Sequence, residues 1–149
     1  MISSALFSSR SEEWATPQAL FDQLNAEFHF TLDPCARQDN AKCARFFTKD
    51  QDGLRQKWGG AVFVNPPYGR KIGLWVEKAF LESQTNADVV VMLIPARTDT
   101  GYFHEFIYGK GEIRFIRGRV RFGDGKNSAP FPSMIVVFRK EALNGKVSS

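Results

Sequence analysis

Cysteine and histidine are the scarce residues of this chain, two of each in 149. Cys35 and Cys43 stand eight apart with no second pair and no histidine nearby, so neither a disulfide framework nor a zinc site is expected. Both are read as reduced thiols. No apolar run approaches the roughly 20 residues of a membrane span. Met1 to Phe7 has no basic region and only a very short apolar stretch, which does not make a secretory signal. Internal repeats and low-complexity tracts are absent apart from the two polar ends, residues 1–13 and 141–149. What is present is ordinary for a globular domain: 43% hydrophobic and 24% charged residues, enough for a sizeable core. The formal net charge of +4 and a pI near 9.2 permit a nucleic-acid partner without requiring one.

Ordered structure is expected over residues 14–140. Thr16-Pro17 has the chemistry of a helix start, a hydroxyl at the cap and proline at the first helical position. Leu20, Phe21, Leu24 and Phe28 then follow a helical apolar stripe. Phe28 to Leu32 reads as a strand ending at Asp33-Pro34, with His29 a half-buried strand residue. Residues 35–60 are polar and irregular. Ala61 to Val64 is a buried strand. Ile72, Trp75, Val76, Ala79 and Phe80 mark a second helix that ends near Asn86. Ala87 to Ile94 is a long aliphatic strand stopped by Pro95, central and buried on both faces. Thr98 or Asp99 should cap a short third helix carrying Tyr102, Phe103, Phe106 and Ile107. Glu112 to Phe122 is strand-like with a break at Gly118, and Ser133 to Phe138 is the last strand. Alternating strands and helices predict an α/β fold with a mainly parallel, Rossmann-like sheet of reduced size, closed by a C-terminal antiparallel hairpin.

The most informative stretch is Ala61-Val62-Phe63-Val64-Asn65-Pro66-Pro67-Tyr68-Gly69. Neither proline can donate to a sheet ladder, so the strand must open into a rigid loop. Asn65 then lies at the carboxyl end of a strand, where open α/β sheets hold ligands. This loop resembles that of amino-group methyltransferases, whose substrate, an exocyclic amino group on a heteroaromatic ring, is a poor nucleophile because its lone pair is delocalised. Two acceptors on its two N–H bonds draw the nitrogen toward tetrahedral geometry and aim the lone pair at an incoming methyl. The Asn65 side-chain oxygen and the Pro66 carbonyl are such acceptors, and the prolines, Pro67 included, hold the second in place. Tyr68 offers an aromatic face for a base. A plain strand-terminating turn is the alternative for the two prolines alone.

The tetrad Asn65-Pro66-Pro67-Tyr68 resembles the catalytic loop of S-adenosylmethionine-dependent amino-group methyltransferases. With Trp14-Ala15-Thr16-Pro17, Leu32-Asp33-Pro34-Cys35-Ala36, Asp52-Gly53-Leu54 and Pro95-Ala96-Arg97-Thr98-Asp99-Thr100 in the same order, the chain resembles the small phage-encoded DNA adenine-N6 methyltransferases of the Dam-like family. The resemblance runs from Trp14 to Phe138. It implies a methyl transfer from S-adenosylmethionine to adenine N6 in DNA, without a metal, in the cytoplasm of a bacterial host cell. It also implies that Thr16 and Pro17 lie against the methionine end of the cofactor and that Asp33, Pro34, Cys35 and Ala36 line it. A helix cap and a strand-end turn are the bland readings of those two segments.

The pattern departs from the wider methyltransferase layout in two places. No glycine follows Ala36, where a glycine-rich turn usually lets backbone approach the cofactor. Residues 36–61 are too few for the usual second and third βα units, since one crossover takes about 30 residues. Those strands are therefore expected to be missing or reduced to loop, leaving the ribose-binding acid without a standard position. Asp39, Asp50 and Asp52 are the substitutes, with Asp52 favoured because Gly53 allows close approach.

Arg114, Arg117, Arg119, Arg121 and Lys126 face a single acid, Asp124, and read as phosphate contacts or as the solvated side of an edge strand. Phe131, between two prolines, is a second candidate for the base pocket. Two other functions use some of the same features: glutamine N-methylation in a protein, which poses the same lone-pair problem, and a DNA-binding remnant without catalysis. A monomer is the favoured state.

Overall fold

The computed structural model describes residues 14–123 and 128–140. Its centre is a six-stranded sheet in the order β2-β1-β3-β4-β6-β5. The strands are β1 (Leu32–Asp33), β2 (Arg45–Phe46), β3 (Gly60–Val64), β4 (Ala87–Pro95), β5 (Glu112–Phe115) and β6 (Ser133–Arg139). β2, β1, β3 and β4 pair parallel, and β6 pairs antiparallel with both β4 and β5. Only β6 is therefore reversed. β5, though separated from β4, runs in the same direction and ends at the same edge of the sheet. The expectation of a mostly parallel sheet with an antiparallel pair holds.

Alternate residues along each strand point to opposite faces. Val62, Val64, Val90, Met92, Ile94, Met134 and Val136 share one core with helix α2 (Ile72–Thr85), through Trp75, Val76, Ala79 and Phe80. Phe63, Val91, Leu93, Ile135 and Val137 form the other core with Phe21 and Leu24 of helix α1 (Gln18–Phe28), and with Val120, Phe122 and Ala129. β4 is paired with β3 over Ala87–Met92 on one side and with β6 over Val89–Pro95 on the other, which explains its near-continuous aliphatic run.

Several local expectations are corrected. Phe28 and His29 belong to the end of α1, not to a strand. The chain leaves the helix through His29 in the left-handed region (φ 55°), with its N–H on the Asn25 carbonyl and the Phe30 N–H on the Asn25 side-chain oxygen. Asn25 thus ends the helix by accepting both following amides, and His29 is exposed. The second strand is not lost: β2 survives as two residues, extended by Phe47 N–H to the Asp33 carbonyl (3.0 Å) and Ala36 N–H to the Phe47 carbonyl (3.0 Å). The short third helix is a single π-turn, Phe103–Ile107, preceded by Gly101 and Tyr102. Thr100, not Thr98 or Asp99, caps it by accepting from the Phe103 N–H at 3.3 Å. The strand expected through Phe122 stops at Phe115; beyond it Arg121 makes only an isolated bridge to Ser128.

Candidate active site

β3 ends at Val64 and the Asn65-Pro66-Pro67-Tyr68 turn leaves the carboxyl edge of the sheet. Asn65 falls on the α1 face, in register after Phe63. Its Nδ2 donates to the Trp14 carbonyl at 2.6 Å and to the Thr16 hydroxyl oxygen at 3.0 Å. Its Oδ1 is buried and has no hydrogen-bond partner among the described residues. A buried acceptor left open in this way calls for an incoming donor. The orientation of the amide follows from chemistry: a backbone carbonyl only accepts, so the nitrogen must face Trp14 and the oxygen the other way.

Pro66 is buried and Pro67 exposed, and their rings fix the turn. Tyr68 donates its hydroxyl to the Leu93 carbonyl of β4 at 3.0 Å. Burial, with Cys35 and Tyr102 nearby, pushes that phenol well above its ordinary pKa, so it stays protonated and is no base. Trp14, Tyr68, Phe122 and Phe131 are all in mutual ring contact, with centroids 5.1–6.3 Å apart. Beside this cluster opens a cavity of about 400 Å³ lined by Tyr68, Gly69, Ile72, Pro95, Arg97, Thr100, Tyr102 and Phe131. Asn65 is set back from its wall. Arg97 lies over the Phe131 ring, 5.8 Å from its centroid.

Thr16 and Pro17 do not play the helix roles expected of them. α1 starts at Gln18 with Pro17 in the cap position and no side-chain cap, and the Thr16 hydroxyl turns to Asn65 instead. Asp33, Pro34, Cys35 and Ala36 stand at the same sheet edge, over β1. The Asp33 carboxylate is buried and accepts the N–H groups of Cys35 (3.3 Å) and Lys42 (3.0 Å), closing the intervening loop. Burial outweighs those donors and pushes the Asp33 carboxyl up to about 6. Burial likewise pushes the Cys35 thiol up to about 12 and the Cys43 thiol to about 11, so both are protonated at neutral pH.

Asp52 sits in the left-handed region (φ 54°), accepts from the Leu54 N–H at 3.2 Å and faces Arg55 at 3.5 Å, with its side chain 46% exposed. The close approach that Gly53 allows is to protein: a Cβ there would lie 2.0 Å from the Pro34 carbonyl oxygen. That contact replaces the reason for which Asp52 was favoured, yet it also sets the Asp52 turn against the Asp33-Pro34 segment.

The arginines divide. Arg114 is held on both sides, bidentate to Glu27 at 2.7 and 2.8 Å and to Glu112 at 2.5 Å, with its guanidinium over Phe28. These carboxylates raise its pKa further and occupy the group, which leaves it less open to a phosphate than its neighbours. Arg117, Arg119 and Arg121 are exposed and follow β5 past the edge where Asn65 lies, while the interleaved Val120 and Phe122 are buried. Lys126 lies outside the described residues. Sequence reasoning missed Trp14, Phe122 and Arg97 as site residues. For Trp14 and Arg97 the signal was their place inside Trp-Ala-Thr-Pro and Pro-Ala-Arg-Thr. Among the described residues no cluster of histidine, cysteine and acid could hold a metal ion, and no helix is long and apolar enough to cross a membrane.

An open acceptor on a proline-stiffened turn at the carboxyl edge of such a sheet is compatible with methyl transfer to an amino group. Comparison with known proteins narrows the class. The DNA N-6-adenine-methyltransferase (Dam) family matches residues 3–147. The DNA N-6-adenine-methyltransferase of Haemophilus phage HP1 (strain HP1c1) is 31% identical over 150 residues, covering 95% of this chain and 86% of that protein. That of Escherichia phage T1 is 31% identical over 106 residues, covering 69% of this chain and 44% of its own length. The chain belongs to the DNA N-6-adenine-methyltransferase (Dam) family, and it is an enzyme of adenine N6 methylation in DNA.

Proposed function

We propose that this chain transfers the methyl group of S-adenosylmethionine to adenine N6 by holding the amino group between the Asn65 Oδ1 and the Pro66 carbonyl. The observation that carries this reading is the buried, unpartnered Asn65 Oδ1, fixed in direction by the two hydrogen bonds of its Nδ2. With both N–H bonds engaged, the N6 lone pair leaves conjugation and becomes nucleophilic. These acceptors strengthen as charge develops on nitrogen, so their effect falls on the transition state. Neither the Asn65 amide nor the protonated Tyr68 is a base, and the released proton passes to water. Tyr68 gives the flipped adenine a ring face, and the adjoining cavity with Phe131, Tyr102 and Thr100 is of a size that small-ligand pockets have.

The cofactor would lie over the carboxyl edge of β1 and β2, a place that fits it on one observation: the half-exposed Asp52 carboxylate, locked in position by the Leu54 N–H. Asp52 would accept from its hydroxyl or amino groups, and Pro34, Cys35 and Ala36 would line it. When bound it supplies an electrophilic methyl group on sulfonium. Arg117, Arg119 and Arg121 would contact phosphates, placing DNA across the edge that carries Asn65. In this reading residues 14–140 are one methyltransferase unit with a reduced Rossmann-like fold, acting in the cytoplasm of a bacterial host cell. The test is incubation with labelled S-adenosylmethionine and plasmid DNA, followed by nucleoside analysis. N6-methyladenine is expected; label found only in protein would support glutamine methylation, and none in either would support a binding remnant.

A further inference from the structure

The segment Trp14-Ala15-Thr16 crosses the site as a strap fastened at three points. Asn65 Nδ2 donates to the Trp14 carbonyl and the Thr16 hydroxyl, and the Gly123 N–H donates to the Ala15 carbonyl at 2.9 Å. The Trp14 ring packs on Tyr68, Phe122 and Phe131. Thr16 is 7% exposed and, though it stands at the start of α1, makes no cap.

We propose that the Thr16 hydroxyl is a positioning group for the Asn65 amide, not a cofactor-binding group. This rests on the reading of Asn65 as an amine acceptor. A primary amide has two nearly isosteric orientations, and only one presents oxygen to the substrate. With nitrogen outward, its N–H bonds would oppose those of the adenine amine and block the transfer. The Trp14 carbonyl selects the correct orientation because it cannot donate. Thr16 accepts the second N–H of Nδ2, so both hydrogens are tied and rotation of the amide plane is stopped. Without Thr16 the amide would keep its sense but lose its angle, which matters for a group that must meet a developing lone pair. The strap also joins Asn65 to the arginine-bearing segment through Ala15 and Gly123.

The test compares Thr16→Val, which keeps shape and loses the hydroxyl, with Thr16→Ser, which keeps the hydroxyl. Turnover is measured at saturating DNA and S-adenosylmethionine, cofactor affinity by calorimetry without DNA, and the Asn65 side-chain amide protons by NMR. Thr16→Val should lower turnover about three- to tenfold, the equivalent of one neutral hydrogen bond. It should leave cofactor affinity unchanged and speed the exchange of one Asn65 amide proton. Thr16→Ser should restore both turnover and protection. Should the valine variant not fold, Thr16→Ala replaces it against the serine. Weakened cofactor binding with normal saturated turnover would overturn the proposal in favour of a cofactor contact, and so would parental behaviour on every readout. Near-parental turnover of Asn65→Ala would instead overturn the acceptor reading, whatever Thr16 does.

Discussion

Asn65 hangs from β3, whose neighbour β4 is nine residues long and paired on both sides. Asp33 and Asp52 hang from the other half of the same edge, where β1 and β2 have two residues each. The first region is held by sheet hydrogen bonds and two apolar cores, and only the Asn65 Oδ1 of its turn is buried without a partner among the described residues. In the second, side chains do the work of missing secondary structure. Asp33 closes a loop on two backbone amides, Asp52 caps a single 3₁₀ turn, and Thr48 and Gln51 form a reciprocal capping box. Where strands are only two residues long, polar side chains can replace the ladder that longer strands would supply. Under the proposed cofactor placement, residues there would serve fold and ligand together.

The largest effect should come from the well-supported half. Asn65→Ala is expected to keep the fold and cofactor affinity and to lower turnover by about a hundredfold or more, as loss of a transition-state hydrogen bond does. Asn65→Asp keeps an acceptor but sets a carboxylate oxygen against the Trp14 carbonyl that receives Nδ2, so it should recover only a small part of that loss. Unchanged turnover in the alanine variant would end the assignment.

At the β1–β2 half of the edge, where the cofactor is proposed to lie, Asp52→Asn is the informative change. Asparagine tolerates the left-handed backbone and still caps Leu54, so melting temperature should hardly move. Loss of a hydrogen bond to a charged group should raise the dissociation constant for S-adenosylmethionine roughly tenfold to a hundredfold. Calorimetry decides it, and parental affinity would return Asp52 to a purely local cap.

The arginines sharpen the contrast within one short segment. Arg117→Ala with Arg119→Ala should flatten the log–log salt dependence of duplex binding by roughly 0.9 per lost contact. Arg114→Ala, already held by Glu27 and Glu112, should leave that slope unchanged. Equal slopes for both variants would remove Arg117 and Arg119 from the DNA contact.

The smallest effect is a pH slope. Asp33 binds its proton more tightly when folded, near pH 6, than at its ordinary 3.8. Between those values the folded state holds more protons, so stability falls as pH rises from about 4 to 6 and the loss is complete above. Asp33→Asn should flatten that stretch of a urea-unfolding series, and a slope unchanged from the parent would assign it to another group.

Hydrophobic pattern and proline placement were sufficient to read β3, α2, β4 and β6 nearly to the residue, because each element is long enough to show its period. The Asn65 turn was legible for the same reason: two prolines after a buried strand leave few conformations. β2 was not legible, since two residues carry no period and Arg45 and Phe46 pair only because Leu32 and Asp33 run beside them. The end of α1 was misread because phenylalanine and threonine near residue 30 favour strand, while the helix-ending bonds to Asn25 depend on geometry.

Local pattern alone sets the sheet's long strands, the Asn65 turn and the clustering of arginines, all of which are properties of neighbours in the chain. What those groups face is settled by the packing of distant segments. That packing brought Trp14 and Thr16 onto Asn65 across about fifty residues of separation, gave Arg114 to Glu27, and pressed Gly53 against Pro34. Such pairings follow from which elements share a face of the sheet, and a hydroxyl or a guanidinium carries no mark in sequence of the partner that folding will supply.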